Sequence, residues 1–162
     1  MFELYTDGGC RGNGTMRNPK SGIGIVLLLP NQEPIKYFEK LEFNPNTNNK
    51  AEIFALIQGL NLLYENYKVV KGFAQPQLKI YSDSAYAING ITDWINGWRA
   101  NGWVNSKKEP VKNKELWEQL DQLVNITKEY FDVEFIKVKG HAGNQWNEAC
   151  DQLANYAMDS NF

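Results

Sequence analysis

The segment MFELYTDGG at residues 1–9 decides the fold, because it reads as a short strand that ends in an acidic residue. Residues 2–7 are mostly apolar or aromatic, and the glycines after Asp7 predict a turn over residues 8–14. A carboxylate at the end of a buried strand is costly unless it pairs with a cation, takes up a proton or binds a metal. Asp7 is therefore the first candidate for a functional residue.

The segments that follow predict a sheet built outward from this strand. Residues 21–29 are rich in Ile, Val and Leu and residues 35–43 alternate, so the first three strands should form an antiparallel meander. Residues 50–64 are apolar nearly all round, as expected for a helix packed on a sheet. A fourth strand at residues 78–82 is reached through that helix, which favours parallel pairing with the first strand. The remaining elements are predicted helices at residues 85–91, 116–124 and 146–157 and a fifth strand at residues 133–138.

Three further carboxylates lie near the ends of predicted elements: Glu52 in NNKAE, Asp83 in IYSDS and Asp151 in NEACD. Ligands gather at the carboxyl ends of the central strands in such sheets, so we expect these acids to converge with Asp7. Each acid taken alone also has an ordinary explanation, for example Asp83 as a helix cap and Glu52 as a solvated acid in a first turn. The joint pattern favours a metal site, and its all-oxygen ligands suit Mg²⁺ or Mn²⁺ rather than zinc.

Composition limits the class of protein. At 162 residues, with 43% hydrophobic and 13% aromatic residues, the chain is expected to form one globular domain over residues 1–162. It contains no apolar stretch of membrane-spanning length, and its first residues resemble a strand rather than a signal peptide. Cys10 and Cys150 lack the spacing of a metal or redox motif, so free thiols are expected. These features predict a cytoplasmic protein with no membrane association.

Charge is distributed unevenly along a chain whose net charge is −2. That net value argues against binding nucleic acid through bulk positive charge. Residues 98–114 nevertheless contain five basic residues and one acid, and Arg11, Arg17 and Lys20 lie in a stretch without acids. These two segments are candidate phosphate-contacting patches, with ordinary solvated surface charge as the alternative.

Four motifs, in this order, resemble type 1 ribonuclease H: YTDGGCRGNG at residues 5–14, TNNKAE at 47–52, YSDS with YAINGITDWINGW at 81–98, and KGHAGNQWNEACDQLA at 139–154. The resemblance covers nearly the whole chain. It implies an α/β, ribonuclease H-like fold with a five-stranded mixed sheet, the first three strands antiparallel, flanked by helices. It also implies an endonuclease that uses two Mg²⁺ ions, which Mn²⁺ can replace, to hydrolyse the RNA strand of RNA–DNA hybrids, leaving 5′-phosphate and 3′-hydroxyl ends.

The resemblance assigns catalytic roles to five residues. Asp7, Glu52, Asp83 and Asp151 match the metal ligands, and His141 matches a mobile residue that transfers protons. Asp7 is the natural bridging ligand because it comes from the central strand, and the glycines after it would let the scissile phosphate approach. His141 is the only histidine and lies in GHAG, a loop that glycines loosen. A surface histidine without a function is the alternative.

Positions that match the family's substrate-binding residues form a larger set. Three are expected at the hybrid's minor groove, where the 2′-hydroxyl distinguishes RNA from DNA, and two in a pocket for a DNA-strand phosphate. The family's arginine in that pocket is missing, because Pro45 occupies its place, so Lys50 or Lys112 would have to compensate. The matching residues are Gly8, Cys10, Asn13 and Asn48 near the groove and active site, and Thr47 and Asn113 at the pocket, with Trp94, Trp117 and Asn147 elsewhere.

Residues 92–103 resemble the protruding handle of the family, with fewer basic residues than bacterial examples carry. Trp94 and Trp117 are expected to pack on DNA-strand sugars, whereas Trp98 and Trp103 are expected in the core of the handle. Asn147, one helical turn before Asp151, would orient the attacking side of the scissile phosphate.

Two other classes share this fold. One is a hybrid-binding module without catalysis, which would be expected to lack one or more of the four acids. The other is an integrase-like or resolvase-like two-metal enzyme, which usually lacks the handle together with GHAG. The sequence therefore predicts a monomeric ribonuclease H whose partner is an RNA–DNA hybrid duplex.

Overall fold

The computed structural model describes residues 1–12, 19–72, 74–140 and 143–160 of the chain. Its strands are β1 Phe2–Arg11, β2 Lys20–Leu28, β3 Ile35–Leu41, β4 Gln77–Ser82 and β5 Asp132–Lys137. They form one mixed sheet in the order β3-β2-β1-β4-β5. β1, β2 and β3 pair antiparallel, whereas β4 pairs in parallel with both β1 and β5. The predicted sheet is confirmed, including the parallel pairing of β1 with β4.

Helices cover both faces of the sheet. They are α1 Asn48–Asn66, α2 Ala85–Asn89, α3 Ile95–Asn101, α4 Lys114–Thr127 and α5 Gln145–Asp159. The helix predicted at residues 85–91 ends two residues earlier, because a π-helical turn at Gly90–Trp94 joins α2 to α3. No helix in the described ranges is long and apolar enough to cross a membrane.

The main core lies between the sheet and α1. Thr47 starts α1 by accepting a hydrogen bond from the Lys50 amide at 3.1 Å. The following residues are apolar on almost every side because α1 contacts β1, β2 and α4. Leu4 and Ile25 from the sheet meet Leu60 in this core, and all three are at most 1% exposed. Burial of this helix face therefore holds the first turns of α1 against β1, where Glu52 lies.

Strand β1 is longer than the sequence predicts. Residues 8–11, which were expected to begin a turn, continue the pairing with β2 as far as Arg11 opposite Lys20. Pairing with β4 stops earlier, at Thr6 opposite Ser82. Asp7 is thus not the last residue of its strand, but it is the first residue of β1 beyond the parallel pairing. The expectation that it lies at the carboxyl edge of the two central strands holds in this narrower sense.

Helix α5 packs on the opposite face of the sheet. Gly24, the β2 partner of Asp7, makes this possible, because a Cβ there would lie 2.0 Å from the carbonyl oxygen of Cys150. The Cys150 thiol also donates a hydrogen bond to the carbonyl oxygen of Tyr5 at 3.2 Å. The close approach brings the middle of α5, and Asp151 with it, beside Asp7.

The handle is a compact aromatic unit. The Trp98 ring lies 6.1 Å from that of Trp103 and 5.5 Å from that of Trp117, so the expected handle core is confirmed. Arg99, the one basic residue of α3, forms an ion pair with the buried Asp121 of α4, with Nε 3.0 Å from Oδ2. Because a buried carboxylate needs a partner, Arg99 mainly anchors the handle to α4.

Candidate active site

Three of the four predicted acids converge at one point. Asp7 from β1, Glu52 from α1 and Asp83 after β4 each offer a carboxylate oxygen, and these atoms all lie within 4.8 Å of one another. Asp7 is 6% exposed, and the other two side chains are partly exposed. Three elements distant in sequence thus form a single cluster of oxygen ligands at the carboxyl edge of the central strands.

Glu52 is held in place by the backbone of β1. Its Oε1 accepts a hydrogen bond from the Gly8 amide at 2.6 Å. A Cβ at residue 8 would lie 2.4 Å from the backbone carbon of Ala51, so only glycine allows α1 to come this close. The expected role of Gly8 was to leave space for a phosphate, but the structure uses that space for α1. Gly9 similarly faces the side chain of Met158.

Asp83 and Asp151 complete the group from two further elements. Asp83 follows β4 directly and precedes Ser84. Of these two candidates for the cap of α2, Ser84 is the one whose side chain caps the helix, so the ordinary explanation of Asp83 as a helix cap does not apply. Asp83 also lies beside the loop after β5, where a Cβ on Gly140 would be 3.4 Å from its Oδ2. Asp151, on α5, is outside the tight cluster of three but interacts directly with Asp7.

The cluster is electrostatically strained. Burial, and then the neighbouring charges of Asp83 and Asp151, raise the pKa of Asp7 to about 8. Burial also raises the pKa of Glu52 well above its usual value, with Asp7 and Asp83 adding to the effect. No lysine or arginine in the described ranges forms an ion pair with any of these acids. Like charges this close and this poorly solvated can all ionise only if something cationic joins them.

The donor set fits a hard divalent cation. Carboxylate oxygens on rigid elements, with no cysteine or histidine among the described residues of the cluster, are the ligands that Mg²⁺ and Mn²⁺ accept. The raised pKa of Asp7 marks a carboxylate whose ionised form a bound cation would stabilise. A metal-binding cluster is therefore supported by geometry and by electrostatics together.

Two of the residues expected at the minor groove lie on the elements that carry Asp7 and Glu52. Cys10 is a partly exposed residue of β1, three positions beyond Asp7. Asn48 is exposed at the start of α1, next to Thr47. Asn13 and the catalytic candidate His141 lie outside the described residues, so their predicted roles remain predictions.

Two of the residues expected at the DNA strand are tied together by Tyr86. Its hydroxyl oxygen accepts hydrogen bonds from Asn113 Nδ2 at 3.1 Å and from Trp117 Nε1 at 3.2 Å. Trp117 is completely buried, so the expectation that its ring packs on a sugar is wrong for this conformation. The sequence pattern did not separate a buried ring from an exposed one. Trp94 packs at steep angles against the rings of Tyr86 and Trp98 and is still 40% exposed, so part of its ring is open to solvent.

A cavity of about 550 Å³ lies between the start of α4 and the segment before α1. Lys50, Asn113 and Lys114 are among its lining residues, whereas Lys112 is not. Lys50 Nζ donates a hydrogen bond at 2.8 Å to the carbonyl oxygen of Pro45. Pro45 is the residue that stands in place of the family's arginine. Of the two lysines named as substitutes for that arginine, Lys50 is thus the one placed at the cavity.

Asn147 and two tyrosines lie beneath the acids on the α5 side. Asn147 is only 4% exposed, so its expected contact with the scissile phosphate would require a narrow approach. Tyr5 and Tyr81 are adjacent on β1 and β4, with parallel rings 4.2 Å apart. Sequence reasoning missed this pair, although the repeated pattern in YTD and YSD, a tyrosine two residues before each strand acid, was visible.

Comparison with known proteins agrees with this geometry. The family described as RNase H matches residues 1–159. A ribonuclease H of Clostridium botulinum is 45% identical over 157 residues, covering 96% of this chain and 94% of that protein. A ribonuclease H of Acetivibrio thermocellus is 41% identical, covering 98% of this chain and 95% of that protein. Among solved structures, LC9-RNase H1, described as a type 1 RNase H with the type 2 active-site motif, has a TM-score of 0.75 at 25% identity, covering 97% of this chain and 71% of that one.

Proposed function

The chain belongs to the RNase H family, and on that premise we propose that Asp7, Glu52, Asp83 and Asp151 cut the RNA strand of RNA–DNA hybrids with the help of two Mg²⁺ ions. The observation that carries the assignment is the convergence of three acids from β1, α1 and the end of β4 within 4.8 Å. A non-catalytic relative would have no need to keep these charges together against their repulsion.

The metal is proposed from the donor chemistry. Two divalent ions at this cluster would supply an activated water and stabilise charge on the leaving 3′ oxygen. Asp7 would be the central ligand of the group, because it interacts with both Asp83 and Asp151 and lies on the central strand. Mn²⁺ satisfies the same oxygen ligands and is expected to substitute.

The protein's own contribution is preorganisation. Glu52 reaches the cluster already oriented by the Gly8 amide, so its carboxylate loses little conformational freedom when a ligand binds. Asp83 and Asp151 arrive on separate elements that pack against the same strand. We assign proton transfer to His141, because it follows Gly140, which lies beside Asp83.

Substrate recognition is proposed along the rim from β1 to the handle. Cys10 and Asn48, together with Asn13, would contact the minor groove, where they can test for 2′-hydroxyls. Asn113, which lines the cavity beside α4, would flank a phosphate of the DNA strand there, and Lys50 would supply the missing positive charge. Thr47 is not part of the cavity lining and would approach the phosphate from the start of α1. Trp94 would offer its exposed face to a sugar. Asn147 lies deeper and would reach the scissile phosphate only through a narrow approach. Gly8, whose side-chain space α1 fills, would contribute by holding Glu52 through its amide.

The proposal also covers the cellular compartment and the oligomeric state of the protein. Both cysteines are free thiols, which fits a reducing compartment such as the cytoplasm. One copy of the chain supplies all four acids, so a monomer is sufficient for catalysis. We propose a single catalytic domain over residues 1–162.

The direct test is cleavage of three labelled duplexes of one sequence: RNA–DNA hybrid, duplex DNA and duplex RNA. We expect only the RNA strand of the hybrid to be cut, with Mg²⁺ present, giving 5′-phosphate and 3′-hydroxyl ends. Cleavage of duplex DNA would favour an integrase-like or resolvase-like enzyme. Tight hybrid binding without cleavage would favour a binding module.

The role of His141 has its own test. His141→Ala should lower turnover roughly 10²-fold, the range for acid–base assistance, while the metal concentration for half-maximal activity stays unchanged. Asp151→Asn should shift that metal concentration as well as the rate. If both variants shift the metal dependence equally, the division of roles between the two residues is wrong.

A further inference from the structure

Tyr86 lies between the acid cluster and the residues proposed to contact the DNA strand. It belongs to α2, the short helix that begins just after Asp83 and its neighbour, the capping serine. The Tyr86 ring packs 5.4 Å from the ring of Trp117 and 5.6 Å from that of Trp94. Aromatic contacts with α4 and with the π-helical turn therefore hold the ring and give its hydroxyl a fixed position.

The Tyr86 hydroxyl oxygen joins two hydrogen-bond donors. It accepts from Trp117 Nε1 at 3.2 Å and from Asn113 Nδ2 at 3.1 Å. An indole N–H can only donate, so the oxygen has to act as an acceptor toward Trp117, which is completely buried. The hydroxyl is thus tied to the core through Trp117, and Asn113 bonds to an atom with little freedom to move.

Asn113 carries a side chain that its own helix does not use. It is the N-cap residue of α4, with φ 62° and ψ 29°, but its side chain makes no capping hydrogen bond. Among the residues that the structure describes, the one hydrogen bond of this side chain is the bond to Tyr86. The second hydrogen of Nδ2 is left to donate, and the partly exposed residue lines the cavity beside α4.

We infer that Tyr86 is a positioning residue for the DNA strand, whose hydroxyl holds the Asn113 amide ready to donate to a phosphate in this cavity. The inference deepens the proposed function and rests on its assignment of Asn113 to a DNA-strand phosphate. Because the amide is ordered before substrate arrives, less conformational entropy is lost on binding. Tyr86 follows Asp83 closely in the chain, so it also sets where that phosphate lies relative to the acid cluster.

The test variant is Tyr86→Phe, which keeps the ring and removes only the hydroxyl. Asn113→Gly is its partner variant, since glycine removes the side chain and tolerates the positive φ at this position. Tyr64→Phe is the matched control, because it removes the hydroxyl of another partly exposed tyrosine, hydrogen-bonded at 2.8 Å to Thr127 between α1 and α4. Tyr86→Phe also leaves the Trp117 indole without its acceptor, so thermal unfolding first sets a temperature at which every variant is folded.

The first readout is hybrid binding in EDTA, with one DNA-strand phosphate at a time replaced by an uncharged methylphosphonate. Wild-type protein should lose affinity about threefold or more at the phosphate that Asn113 contacts. At that position Tyr86→Phe and Asn113→Gly should lose clearly less. The double variant should bind no worse than Asn113→Gly, because both changes remove the same contact. Tyr64→Phe should reproduce the wild-type profile.

The second readout is steady-state cleavage of the hybrid. Tyr86→Phe should raise KM about threefold and leave kcat unchanged, because the lost interaction is made equally in the ground state and in the transition state. The Mg²⁺ concentration for half-maximal activity should also stay unchanged. A loss of kcat, or a shift in the Mg²⁺ dependence, would place the effect of Tyr86 at the acids and would overturn the inference.

A third readout needs neither a variant nor a substrate. In free wild-type protein the side-chain amide protons of Asn113, followed by NMR, should exchange with solvent more slowly than those of the exposed Asn89. The inference is overturned if these two residues exchange alike, if no DNA-strand phosphate depends on Asn113, or if Tyr86→Phe and Tyr64→Phe give the same phosphate profile. Wild-type protein that binds hybrid but fails to cut it would instead refute the proposed cleavage, and the phosphate profile would still decide the role of Tyr86.

Discussion

The acid cluster and the handle are built on opposite principles. At the cluster, glycine at residue 8 lets α1 contact β1 so closely that one Cβ would meet backbone at 2.4 Å, and the charges repel one another. In the handle, the aromatic side chains are packed, and the lysines that follow it at residues 107 and 108 are exposed. Substitutions in the acid cluster are therefore expected to have large, all-or-none effects, whereas substitutions in the handle are expected to have graded ones.

Asp7→Asn should produce the largest effect. The amide keeps the shape of the carboxylate but loses the charge proposed to bridge two cations, so the cleavage rate should fall at least about 10³-fold with Mg²⁺ present. Hybrid affinity should stay close to wild type, because phosphate contacts dominate it. Single-turnover cleavage and a binding titration in EDTA measure the two quantities. More than a tenth of the wild-type rate would count against the two-metal assignment.

Gly8→Ala should produce the next largest effect, on folding. The new Cβ would meet the backbone of Ala51, which cannot move without displacing α1, so the free energy of unfolding should fall by roughly 3 kcal/mol. Gly9→Ala is the matched control, because its Cβ would meet only the flexible end of Met158 at 3.1 Å, and it should cost less than about 1 kcal/mol. If urea unfolding shows equal losses of stability for the two variants, the close approach of α1 is not what requires glycine at residue 8.

The charge repulsion should be visible in the pH dependence of stability without metal. The folded-state pKa of Asp7 is raised to about 8, so between its unfolded value of 3.8 and that pH the folded protein holds a proton that the unfolded chain releases. Stability in EDTA should therefore fall as pH rises through this window and level off above it. Asp7→Asn should flatten this pH dependence of stability. At the upper end of the pH window, the variant should be more stable than wild type by about 1 kcal/mol or more. A wild-type curve that rises with pH from 4 to 8 would contradict the buried, uncompensated cluster.

The handle should respond mildly to added charge. Ala100 is exposed on α3, and a side chain at Gly97 would meet nothing within 4 Å, so both positions accept lysine. Asn101 is less suitable, since its side chain bonds the backbone of Val104. Gly97→Lys with Ala100→Lys should tighten hybrid binding a few-fold at moderate salt and steepen its salt dependence. The same positions changed to Gln serve as the uncharged control, and an unchanged Kd would show that the handle does not approach the substrate.

Much of the fold could be predicted from the sequence, because the patterns of apolar residues that define its strands and helices are local. The alternating strands, the apolar helix at residues 50–64 and the order of elements predicted a mixed sheet, and the structure confirms it. The length of β1 was missed, since glycines at residues 8 and 9 are typical of turns and only pairing with β2 keeps them extended. The π-helical turn at Gly90 was also missed. A Cβ at Gly90 would lie 2.1 Å from the ring of Trp117, and this contact with a residue 27 positions away is not visible in the local sequence.

The site was readable only as a set of residue types. The order of motifs identified the four acids. It did not show that Asp7, Glu52 and Asp83 form a tight group of three, with Asp151 outside it. Trp117 could not be placed, because burial depends on contacts with Tyr86 and Trp98 that sequence spacing does not encode. The role of Arg99 was missed for the same reason. Its positive charge suits a phosphate contact, but in the structure it forms an ion pair with Asp121.

The most direct test of the central claim is the effect of Mg²⁺ on thermal unfolding near pH 8, without substrate. A cation that binds the folded cluster must stabilise it, because it relieves the repulsion among Asp7, Glu52 and Asp83. We predict that millimolar Mg²⁺ raises the Tm of wild-type protein and of the control Asp93→Asn, an exposed acid in the handle, but leaves that of Asp7→Asn unchanged. An equal shift in all three proteins, or none in wild type, would contradict the account of these acids as a metal site.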